Sequence, residues 1–160
     1  DATIGYMPTR VWGCPTTAMW TFRLGPLRAK QLMFTGDTID GRTAADWGLA
    51  NFAVPASELE ARTRALAERI AGVPSGQLAM HKLVVNQVML TMGLEQSQTL
   101  ATVFDGITRH NPEGLWFRRH AQEAGFKAAV QWRDSGRPIP EGNEARQLIS
   151  EIERRRRPGD

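Results

Sequence analysis

Apolar and polar positions alternate along this chain with mostly helical spacing, and glycine, proline and short polar residues punctuate them. Thr3 to Met7 reads as a short strand closed by Pro8. Residues 9–20 place Trp12, Met19 and Trp20 among Pro, Gly and Thr, which predicts an apolar loop or short helix. Residues 26–34 are helical by the spacing of Leu27, Leu32 and Met33, and Gly36 can take the positive φ that ends such a helix. An extended pair follows. Asp40 then stands as the N-cap of a two-turn helix over residues 43–47, Gly48 stops it, and residues 49–54 read as a strand before Pro55.

Beyond Pro55 the pattern is helical throughout. Ser57-Glu58-Leu59-Glu60 reads as a capping box that opens a helix with Leu59, Leu66 and Ile70 on one face and Gly72 at its end. A second helix covers about 75–92 on the stripe Leu78, Val85, Met89, and a third about 95–110 with Leu100, Val103 and Phe104. Asn111-Pro112-Glu113 supplies an N-cap, a first-turn proline and an acid at the positive end of a fourth helix, which runs to Ser135-Gly136. Pro138 and Pro140 make an extended linker, and residues 143–157 a last, loosely attached helix. Trp116, Phe117, Phe126 and Trp132 gather in the fourth helix, and aromatic enrichment of that kind favours an oligomer interface.

The totals narrow the class. The 160 residues can form one domain with a core, and 41% hydrophobic with 23% charged residues is a globular composition. No apolar run approaches the roughly 20 residues of a membrane helix, and a lone cysteine, Cys14, excludes an internal disulfide, so a cytoplasmic protein is expected. The net charge of +3 sits largely in Arg154, Arg155, Arg156 and Arg157. A like-charge run before Pro158 and Gly159 reads as a solvated, frayed tail, so neither a nucleic-acid nor a membrane partner is expected. His81, His110 and His120 have no metal-ligand spacing, Asp37 and Asp40 fit turn and cap roles, and no glycine pattern suits a nucleotide.

The run from Ala29 through Leu32, Thr35, Gly36, Ile39, Ala44 or Ala45, Gly48, Leu49 and Val54 to Pro55 resembles the A-x-x-L-x-x-T-G-x-x-I-x-A-x-x-A-x-x-x-G-L-V-x-x-V-V-P passage of the crotonase superfamily, the enoyl-CoA hydratases and isomerases. The resemblance implies an α/β chain in three parts. Residues 1–55 would end the β/α spiral core, 56–136 would form a helical trimerisation region, and 137–160 a linker and basic tail helix. Family domains are longer, so the chain is expected to be the C-terminal half, with a complementary N-terminal half supplying the oxyanion amides and the first catalytic glutamate.

The second glutamate belongs to a motif of the form F-G-x-P-E-x-x-x-G. Here Ile4, Gly5, Pro8 and Gly13 keep the frame with one extra residue before Pro8, and Thr9 occupies the glutamate position. A threonine hydroxyl transfers no proton at neutral pH, which puts the standard hydration in doubt. The loop 14–22 is shorter than its family counterpart and bulkier. The resemblance makes Pro8, Trp12 and Trp20 candidates for the substrate pocket and Phe104, Lys127 and Arg133 candidates for CoA contacts. It implies no cofactor beyond the CoA of an acyl-CoA thioester partner, and a homotrimer or hexamer. Two functions remain open: hydration of 2-enoyl-CoA, or a non-catalytic homologue that binds acyl-CoA or serves assembly.

Overall fold

The computed structural model describes residues 2–15 and 19–156. Two short strands, β1 (Thr3–Gly5) and β2 (Thr38–Asp40), pair antiparallel with Ile4 opposite Ile39. A 3-10 turn, Met7–Arg10, follows β1. The helices are α1 (Met19–Thr35), α2 (Gly41–Asp46), α3 (Ala56–Ala71), α4 (Ser75–Thr91), α5 (Leu94–Thr108), α6 (Pro112–Ala124), α7 (Phe126–Asp134) and α8 (Gly142–Arg156). Residues 16–18, in the middle of the loop expected over 14–22, lie outside the described residues. From Met19 the chain is already helical, and α1 kinks at Gly25 just before Pro26.

Several local signals act as read. The Asp40 carboxylate accepts from the Thr43 amide at 2.7 Å, and the Asn111 side chain accepts from Gly114 at 2.8 Å. Others do not. Residues 49–54 are not a strand: they run as an irregular segment that pairs with neither β1 nor β2. The Ser57 capping box does not form, because α3 begins one residue earlier at Ala56 with Pro55 as its cap residue. The fourth helix is two: Gly125 takes φ 89° and ψ 144°, a conformation side chains disfavour, and α7 turns back there.

The chain's own core joins the 3-10 segment to the C-terminal helices. Val11, Trp116, Phe117, Ala129 and Ala145 are buried together, with Trp132, Ile139 and Leu148 packed against them. The Trp116, Phe117 and Trp132 side chains therefore fill an intrachain core rather than an interface, and of the four aromatics only Phe126 is exposed. Nor is α8 loosely attached. Ala145 and Ile152 are buried, Glu113 accepts from the Gly142 amide at 2.6 Å, and Arg119 pairs with Glu153 at 3.0 Å. Arg154, Arg155 and Arg156 lie on the helix, Arg155 reaching Glu123 at 3.7 Å, while residues 157–160 of the expected frayed tail lie outside the described residues.

The segment α3–α5 is the opposite case: none of its side chains is buried. The expected stripes are present, yet Leu59, Ile70, Val85, Leu100 and Val103 all face solvent. A helix as apolar all round as α4 is stable when something covers it.

Gly114, at the first turn of α6, has no room for a β-carbon against the Thr108 carbonyl and meets the Arg109 Cα at 3.1 Å. Gly114→Ala is expected to lower stability by about 1–3 kcal/mol in urea titration. An unchanged midpoint would show that the α5–α6 turn yields freely.

Candidate functional site

The segment from Tyr6 to Cys14 is fixed from two sides. In the 3-10 turn, Pro8 precedes Thr9, whose hydroxyl donates to the Met33 carbonyl at 2.7 Å. That carbonyl is one of the last four of α1, which have no intrahelical partner. Thr9 thus caps α1, and its single proton is committed there. Arg10 donates to the Arg137 carbonyl at 2.8 Å, tying the turn to the linker before α8.

Farther on, Asp105 of α5 holds the loop. Its carboxylate accepts from the Cys14 amide at 3.0 Å and from Arg109 Nε and Nη2 at 2.9 and 3.3 Å. The Arg109 guanidinium lies 5.3 Å from the Trp12 ring centre, and Trp12 packs on Phe117 at 5.6 Å. Trp12 has φ 78°, which a bulky residue holds only when its surroundings enforce it. Tyr6 donates to the Cys14 carbonyl at 3.4 Å.

The electrostatics follow from these contacts. Hydrogen bonds from Arg109 and then the Cys14 amide hold Asp105 below the usual carboxylate range, against a smaller opposing effect of burial. Burial first, and the Asp105 charge second, push up the Cys14 thiol and the Tyr6 phenol. Cys14 therefore stays a thiol, unsuited to nucleophilic attack. Because Asp105 is depressed in the folded state, its stabilisation is fully present above the unfolded aspartate value of about 3.9 and is lost as pH falls through the lower folded value. A carbon-detected NMR titration of Asp105 is expected to show its midpoint below that ordinary value; a midpoint at or above it would mean the brace is open in solution.

A cavity of about 270 Å³ lies between this segment, the α5–α6 turn and the linker. Thr9 and Trp12 line one side, Asn111 and Glu113 another, Ile139 and Glu141 the third. A broader concavity of about 480 Å³ runs along α3 alone and holds none of this chemistry. Of the candidates from the sequence, Thr9 and Trp12 meet at the smaller cavity, Pro8 sits in the turn beneath them, and Trp20 is half-buried in the first turn of α1 without lining it. Phe104 on α5 and Lys127 on α7 are exposed, and neither lines these cavities. Arg133 is buried, bonded to Asp134 by Nε and Nη2 at 2.6 and 3.2 Å, with its guanidinium 5.9 Å from the Phe117 ring centre.

Sequence reasoning missed Asp105 and Arg109. Their spacing of four on a predicted helix was a visible ion-pair signal, but their loop partner Cys14 is 91 residues away. Among the described residues no group of three or more His, Cys, Asp or Glu side chains could hold a metal ion, and no helix is long and apolar enough to cross a membrane.

The elements around this site define a fragment of the crotonase fold. The crystal structure of an enoyl-CoA hydratase from Mycobacterium smegmatis matches with a TM-score of 0.81 and 53% identity, covering 84% of this chain and 46% of that one. An enoyl-CoA hydratase/isomerase from Xanthobacter autotrophicus Py2 matches with a TM-score of 0.77 and 26% identity, over 87% of this chain and 53% of that chain. EchA13 of Mycobacterium tuberculosis H37Rv, named as a candidate enoyl-CoA hydratase, is 39% identical over 74 residues, 46% of this chain and 23% of that protein. The enoyl-CoA hydratase/isomerase family pattern matches residues 1–119. The chain belongs to the enoyl-CoA hydratase/isomerase family, and it spans about half the length of the solved relatives.

Proposed function

We propose that this chain is part of an enoyl-CoA hydratase-type protein of acyl-CoA metabolism, with the cavity beside Thr9 at the acyl end of a thioester site. The observation that carries this reading is the position of that cavity. It lies against the segment that resembles the family's acid motif, in a chain 53% identical to a solved enoyl-CoA hydratase. No cofactor beyond the CoA of the substrate enters the proposal.

Hydration of a 2-enoyl-CoA adds the water oxygen to C3 and a proton to C2, through an enolate whose oxygen needs hydrogen-bond donors. One group must take the water's proton and one must supply a proton to C2. Thr9 can do neither at neutral pH, and its proton already bonds Met33. If water is added, the proton donor comes from outside the Tyr6–Cys14 segment. The same observation favours a second reading, a homologue that binds acyl-CoA without turning it over.

In either case α3–α5 require a cover. We assign it to further copies of the chain in a homotrimer or hexamer, or to a complementary N-terminal half. Phe104 and Lys127 are accessible for CoA, whereas Arg133 would reach a phosphate only by leaving Asp134.

Calorimetric titration of the full-length protein with crotonyl-CoA tests the shared premise: saturable binding is expected, and no binding overturns both readings. Thr9→Glu then separates them. A rise in hydration from a silent wild type supports the binding homologue, while active wild type supports hydration with its acid elsewhere.

A further inference from the structure

We infer that Asp105 is a positioning residue for the Trp12 wall of the cavity, and that the brace Asp105–Arg109–Trp12 sets how long an acyl group the cavity admits. The inference rests on the thioester reading above and goes beyond it by naming what selects the substrate.

Three observations converge. Asp105 binds Arg109 through two nitrogens, 2.9 and 3.3 Å from its two oxygens, which fixes the plane of the guanidinium and not only its charge. That guanidinium sits 5.3 Å from the Trp12 ring centre, within range of a cation–π contact. The same carboxylate accepts from the Cys14 amide, so one side chain on α5 restrains the indole and also the backbone two residues beyond it. Those restraints act together with the Phe117 contact to hold the left-handed φ of 78° at Trp12.

The cavity this wall bounds is small. Its 270 Å³ falls just below the roughly 300–1,000 Å³ of ordinary small-molecule sites, and its apolar side chains are Val11, Trp12 and Ile139 beside the charged Arg10, Glu113 and Glu141, so only a short acyl group finds apolar cover there. Rotating the indole away would let a longer chain enter. An ion pair with a spacing of four on a helix surface adds little stability by itself. Asp105 lies on the face of α5 opposite the exposed Leu100, Val103 and Ile107, and Arg109 is the residue that caps the helix, so a change at 105 leaves the apolar face untouched.

The test uses the full-length protein and three thioesters: crotonyl-CoA, 2-hexenoyl-CoA and 2-decenoyl-CoA. Wild type is expected to bind the shortest best. Asp105→Asn and Trp12→Gly, the latter suited to a positive φ, are each expected to shrink the ratio of crotonyl to decenoyl affinity about tenfold, within the range a change of hydrophobic pocket size produces. A uniform loss across all three thioesters would mark Asp105 as merely structural and overturn the inference. So would an unchanged ratio in Asp105→Asn. If wild type binds no thioester, the proposed function fails and chain-length selection fails with it. The brace is then still read by the Trp12 indole N–H resonance, identified as the one lost in Trp12→Phe. A shift in Asp105→Asn is expected, and its absence overturns the positioning role.

Discussion

Phe117→Ala is expected to destabilise the protein by about 3–5 kcal/mol, the range for emptying a buried aromatic position. Phe117 is fully buried, among Val11, Trp116, Ala129 and Ala145. It also joins the site to the C-terminal helices: Trp12 packs on its ring at 5.6 Å, and the Arg133 guanidinium of α7 lies 5.9 Å from it. Removing the ring leaves a cavity and also uncovers the buried Arg133 guanidinium, so relaxation can recover little. Phe117→Leu keeps most of the volume and should cost less than about 1.5 kcal/mol. Denaturant titration with intrinsic fluorescence measures both. A loss below about 1 kcal/mol for the alanine variant would mean that the α6–α8 unit is packed differently.

The second large effect concerns assembly. Val84→Asp combined with Val88→Asp places two carboxylates on the exposed apolar face of α4. Within one chain these positions bury little, so each change should alter folding stability by no more than about 0.5 kcal/mol. In an oligomer both carboxylates would be buried without partners, which costs several kcal/mol per group. Sedimentation equilibrium is expected to show a wild-type assembly and a dissociated variant. An unchanged mass for the variant would remove α4 from the interface.

The sequence was most legible where structure is local. The Asp40 and Asn111 caps and the helical stretches after Pro55 each depend on neighbours within a few residues, and all appear. The strand over 49–54 failed because a strand exists only beside another. The Ser57 capping box failed because Pro55 supplies the extended entry two residues sooner. Gly125 broke a helix whose apolar spacing ran on through it, so periodicity concealed the turn that folds α7 back. The basic charge of the tail hid the apolar face of α8, although Ala145 and Ile152 stand a helical repeat apart and both are buried.

The site was legible in one part. The family-like frame led to Thr9 and Trp12, and these do meet at a cavity. The contacts that give them meaning are long-range. Thr9 reaches Met33, Cys14 reaches Asp105, and Glu113 reaches Gly142. None leaves a spacing signal, because each joins separate elements across the fold. Arg133 shows the limit of reading charge as function: a cation on a predicted surface helix proves to be buried beside Asp134.

Hydration of crotonyl-CoA by the 160-residue chain alone is the most direct measurement, followed by loss of the enoyl thioester absorbance. No turnover above the uncatalysed rate is expected, since the hydroxyl at the acid position caps a helix and cannot move a proton. Sustained turnover by these residues, undiminished in Thr9→Ala, would contradict the view that hydration depends on groups the chain does not itself supply.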